Sequence, residues 1–174
     1  MVPMKLPRII SIALLTLLTA CSTMGPAPLA PVSPPAQEQS IPPEVLNPDV
    51  RQEPIGQTIC VAGYTTSIRP STNYTNGIKA KLIRDKGLAA SAANEYELDH
   101  HLPLALGGHP RNPRNLALQP WAGEEGARKK DRLERKLQAL VCSGALLLKT
   151  ARQEIYFNWS AAYEKQIGSA APNP

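Results

Sequence analysis

A chain of 174 residues, 43% hydrophobic and 19% charged, has room for one ordinary globular domain and is excluded from the fibrous and wholly disordered classes. Eighteen prolines, nine of them between Gly25 and Pro54, exclude that stretch from the globular part. From Ile55 onward sixteen Lys and Arg face ten Asp and Glu, a balance that suits a polyanion or an anionic membrane surface and is also common on ordinary solvated faces.

The amino terminus carries Lys5 and Arg8, then an uncharged apolar run from Ile9 to Ala20, then Cys21. Such a run is too short to span a bilayer but suits the apolar region of a secretory signal. Its last residues, Leu18-Thr19-Ala20-Cys21, resemble the lipobox of bacterial lipoproteins. That resemblance implies a signal peptide over 1–20, lipidation of Cys21 and an N-terminal lipid anchor in the bacterial cell envelope; a plain cleaved signal or a short uncleaved anchor is the alternative. Ser22, by the sorting habit of Gram-negative lipoproteins, implies the outer membrane, facing the periplasm. Residues 21–54 then read as a Pro-rich, semi-rigid tether carrying a domain over 55–174.

Export changes the meaning of the two remaining cysteines, because an oxidising compartment lets thiols pair. Cys60 and Cys142 are expected to form a disulfide tying the start of the folded region to the end of a helix, with two buried free thiols as the alternative.

In chain order, Thr58-Ile59-Cys60-Val61 is short, β-branched and ended by Gly63, and predicts a strand. Ser71-Thr72-Asn73 can cap a helix running to about Lys86, with Ile78, Leu82 and Ile83 inward and Gly87 as its stop. From Leu98 to Leu104 apolar and polar residues alternate, which puts His100 inside with Leu98, Leu102 and Leu104, and Asp99 and His101 outside. Gly107-Gly108 and the Pro and Asn residues through Pro113 break this run, and Asn115 to Leu118 can return as the second strand of a hairpin. A helix is predicted from about Gly126 to Cys142, with Leu133, Leu137, Leu140 and Val141 buried and Arg128, Arg132, Arg135 and Lys136 exposed. A last helix, about Leu146 to Gln166, turns Ala151, Ile155, Trp159 and Ala162 inward.

An Asp-His pair on a first strand, an Asn on the second and a following helix resemble the HNH, or ββα-metal, nucleases. The wider pattern is similar to a group of exported bacterial HNH-like proteins. It comprises Thr58 to Tyr64, Arg69-Pro70, Tyr96 to His100, Pro103-Leu104, Leu106 to Gly108, Arg114 to Leu116, Lys130 to Glu134 and Val141 to Gly144. The resemblance covers Thr58 to Trp159 and implies an α+β fold: a small hairpin-plus-helix HNH core with flanking helices.

The implied activity is hydrolysis of nucleic-acid phosphodiester bonds, DNA more than RNA and without sequence preference. Such hydrolysis needs a base for the attacking water and a positive charge for the leaving oxygen. The resemblance makes His100 the general base, Asn115 its orienting residue and Asp99 a catalytic and metal-binding acid. It implies one divalent ion, Mg²⁺ foremost, with Mn²⁺, Zn²⁺ or Ni²⁺ also compatible. The more familiar members have His or Asn on the helix; here Asp131 and Glu134 take the ligand role beside Lys130. Arg69, Arg128, Lys130 and Arg132 are the expected phosphate contacts. No Cys-x-x-Cys pair exists, which excludes the zinc-stapled form of the motif. From a different class, the chain could be an HNH-scaffold lipoprotein that has lost turnover and binds nucleic acid or an envelope component.

Overall fold

The computed structural model describes residues 39–168, so the expected signal peptide, Cys21 and the first part of the tether lie outside the described residues. Mixed helix and sheet result: α1 Tyr64–Ile68, α2 Thr72–Asp85, β1 Tyr96–His100, β2 Leu116–Pro120, α3 Ala127–Cys142 and α4 Leu148–Gln166.

The long elements follow their apolar spacing. Leu133, Leu137 and Val141 on α3 are fully buried, as are Ala151 and Ile155 on α4, and the two helices pack together to form the centre of the core. Trp159, expected inside, is partly buried against the same cluster. Residue Asn158 departs from helical geometry and kinks α4. Helix α2 ends as its sequence predicts: Gly87 takes φ +66°, its N–H donates to Arg84, and the Leu88 N–H donates to Ile83, a Schellman closure.

Strands β1 and β2 pair antiparallel, with His100 opposite Leu116 and Tyr96 opposite Pro120. The first strand is shorter than the alternation suggests. It stops at His100, and Leu102 to Leu106 turn into the core as an irregular segment and a 3-10 turn, Leu104–Leu106. Asn115 ends the short 3-10 turn Pro113–Asn115 and precedes β2 instead of belonging to it.

Two further expectations differ from the structure. Thr58 to Val61 is a series of turns, not a strand. The only sheet among the described residues is the two-stranded one, and this β-branched run joins neither of its edges. It is held by the burial of Ile59 and by Cys60, whose sulfur lies 1.98 Å from that of Cys142 with the Cα atoms 5.5 Å apart. The packed region also begins ahead of Ile55. Val45 and Val50 are each 1% exposed, and the chain between them crosses the double glycine: the Asn47 N–H donates to the Gly107 carbonyl and the His109 N–H to the Val45 carbonyl. Arg152 of α4 clamps this strap, donating from Nε to the Leu106 carbonyl at 2.7 Å and from Nη2 to the Val50 carbonyl at 2.9 Å. Gly107 must be glycine on two counts, its φ of +79° and the Val50 and Arg152 side chains lying where a β-carbon would go.

Candidate active site

The site grows from the end of β1. Asp99 and His100 are consecutive, so strand geometry sends their side chains to opposite faces. Asp99 turns toward α3, where its Oδ2 accepts from Lys130 Nζ at 2.8 Å. His100 turns toward the loop that follows the double glycine, and its Nε2 lies 3.1 Å from the Pro110 carbonyl oxygen. A carbonyl only accepts, so Nε2 carries the proton and Nδ1 is left with the lone pair. Burial pushes the His100 pKa below its ordinary value, outweighing the Pro110 carbonyl and Asp99, which favour the charged form. A neutral imidazole at neutral pH follows.

Asn115 holds the loop that carries Pro110. The side chain is fully buried: its Oδ1 accepts from the Leu102 N–H at 2.8 Å, and its Nδ2 donates to the Leu102 carbonyl at 2.9 Å and the His109 carbonyl at 3.0 Å. The Asn115 carbonyl also accepts from the His101 N–H, extending the strand ladder by one rung. Asn115 therefore orients His100 indirectly, through the loop that presents the Pro110 acceptor. His109 stabilises the same loop, its Nδ1 accepting from the Arg111 and Asn112 N–H groups.

Three clefts have His100 in their wall: one of about 250 Å³ also takes in Asp99, His101, Lys130 and Trp159, and the other two reach Arg69. The first of these two, about 240 Å³, lies between α2 and β1 and is lined by Arg69, Lys79, Glu97, His100 and Trp121 among others. The second, about 90 Å³, has Arg69, Glu97, Asp99, His100, Asp131 and Glu134 in its wall. Arg69 is exposed and borders both. Arg128 borders a separate, larger cleft with Tyr96 and Trp121. Arg132 points elsewhere: its guanidinium donates to the Tyr163 hydroxyl on α4 at 2.5 Å and stacks over the Tyr163 ring.

Lys130 is not on the surface at all. Its side chain is 3% exposed, and Nζ donates to Asp99 Oδ2, Glu134 Oε1 and the His100 carbonyl, each at 2.8 Å. Burial works against its charge, but Glu134 and Asp99 outweigh that and hold its pKa above the ordinary lysine value. Burial likewise pushes Glu134 up to about 7, with Lys130 opposing. Glu97, beside them, is also pushed up to about 7 by burial and by the charges of Asp99 and Asp131, and its Oε2 is buried without a hydrogen-bond partner. The sequence carried a signal for the burial of Lys130: it stands three, seven and eleven residues ahead of Leu133, Leu137 and Val141, on their stripe.

The expected ligand set of Asp99, Asp131 and Glu134 does not fit a shared divalent ion in this arrangement. Two of the three carboxylates, those of Asp99 and Glu134, bond one ammonium, that of Lys130. Comparison of the chain with protein-family models, with curated proteins and with solved structures gives no match.

Proposed function

We propose that this domain is an HNH-type endonuclease that hydrolyses phosphodiester bonds of nucleic acid, DNA more than RNA, outside the cytoplasm, on a chain anchored in the envelope by a lipid at Cys21. The observation that carries the reading is the tautomer of His100: with Nε2–H committed to the Pro110 carbonyl, Nδ1 keeps its lone pair as a neutral base, on a residue that lines three clefts. In the reaction a water oxygen bonds to phosphorus, its proton passes to His100 Nδ1, and the phosphorus–oxygen bond to the leaving group breaks with its electron pair going to that oxygen. Arg69, at the rim of two of these clefts, can take a phosphate oxygen through its guanidinium fork. Asn115 and Pro110 keep the imidazole aligned without touching the substrate.

Incubating the purified full chain with supercoiled plasmid, with Mg²⁺ or Mn²⁺ and separately with chelator, tests the reading. Nicking that His100→Ala abolishes, in a chain that still unfolds in one cooperative transition, is the expected outcome. Full activity in His100→Ala would remove the general base. Plasmid that shifts on a gel but stays uncut would favour instead a scaffold that binds nucleic acid without turnover.

A further inference from the structure

We infer that Lys130 is a built-in cation that occupies the position a divalent ion would need, so that the native site takes no metal there. An ammonium has three N–H donors, and Lys130 spends all three, at equal distances of 2.8 Å, on Asp99, Glu134 and the His100 carbonyl. A divalent ion held by the same carboxylates would sit about 2.0–2.6 Å from their oxygens and in contact with Nζ. Two cations in one partly dry cleft repel strongly, so one excludes the other.

Lys130 cannot simply swing aside. Its side chain is 3% exposed, Asp99 and Glu134 are 14% and 18% exposed, and withdrawing the ammonium would leave two facing carboxylates with little water to solvate them. The remaining expected ligand, Asp131, shares a cleft with them but no hydrogen bond to Lys130. The ammonium also does positional work that a loosely held ion could not. It binds the backbone carbonyl of the base and the side chain of the residue before it, fastening the end of β1 to α3, while Pro110 fixes the ring from the other side. Lys130 is thus a positioning residue. For hydrolysis this inference rests on the nuclease reading; for metal binding it stands independently.

Mn²⁺ titration of the full chain, followed by the electron paramagnetic resonance signal of the free ion, separates the two. Wild type is expected to leave the signal unchanged and to melt at the same temperature with Mg²⁺, Mn²⁺ or chelator. Lys130→Met, which frees both carboxylates, is expected to gain Mn²⁺ binding, and adding Glu134→Gln to remove it; a merely structural lysine would create no such site. Wild type that takes up one Mn²⁺ per chain, lost in Asp99→Asn, would overturn the inference, and this arm needs no folded Lys130 variant. Nicking that persists in chelator is expected in the plasmid assay. A chain that neither nicks nor binds Mn²⁺ would fail the nuclease reading and leave the built-in cation standing.

Discussion

Gly108 lies so close to Leu102 that a β-carbon added to it would sit 1.7 Å from the Leu102 carbonyl oxygen and 2.8 Å from Asn115 Nδ2. The second glycine of the pair thus serves close backbone approach, in the loop that positions the candidate base. Gly108→Ala cannot be relieved by rotating a side chain, because the obstacle is backbone. It should destabilise the fold by roughly 3 kcal/mol or more, read as a lower urea midpoint with unchanged slope.

Asn115→Ala removes one acceptor and two donors at once and leaves the buried Leu102 N–H and two carbonyls unmatched. A loss of roughly 3 kcal/mol is expected. Asn115→Asp keeps the acceptor for Leu102 but turns a carboxylate oxygen toward two carbonyls, and should be no better. Amide exchange at Leu102 is the direct measurement: its protection should collapse in Asn115→Ala while amides in the α3 core change only with global stability.

Glu97 supplies one part of the pH dependence, alongside Glu134, which is raised into the same range. The Glu97 pKa is raised from 4.5 to about 7 in the fold, so the folded chain holds this proton more tightly than the unfolded one. The resulting stability is fully present below pH 4.5 and is lost as pH rises through 7. Glu97→Gln should flatten that part of the stability profile and melt no lower than wild type above neutrality. A profile equally steep in the variant would show that Glu97 does not carry it.

The Cys60–Cys142 link joins residues 82 apart in sequence, a long loop to leave open in the unfolded chain. On the chain-entropy model it stabilises by about 4 kcal/mol. Reduction, or Cys60→Ser with Cys142→Ser, should lower the melting temperature accordingly. Two reactive thiols in oxidised, denatured protein would show that the pair does not form.

Much of this arrangement was legible where one physical signal dominated. The apolar period, leucines on α3 and Ala, Ile and Trp on α4, located both helices to within about two residues, and strand parity separated buried His100 from exposed His101. Thr58 to Val61 failed because β-branched composition describes a strand only where the fold brings the segment against a partner strand, and that pairing is a long-range fact. Val45 and Val50 were hidden by the prolines around them: composition averaged over the stretch says tether, while two side chains decide that it packs. Lys130 was read by its charge, toward phosphate, when its place on the apolar stripe was the better guide. Its burial is tolerable because its three donors are met by Glu134, one turn on, and by Asp99 and the His100 carbonyl, which are remote in sequence.

The strap over Gly107 and Gly108 gives the fold a mechanical polarity. Anything drawing on the chain ahead of residue 39 would load first the two valines and the Arg152 clamp that hold the strap down, and through the bonds from Asn47 and His109 the loop that seats the imidazole. Tension at that end is therefore divided between the loop that seats the candidate base and α4, which the Arg152 clamp ties to the strap.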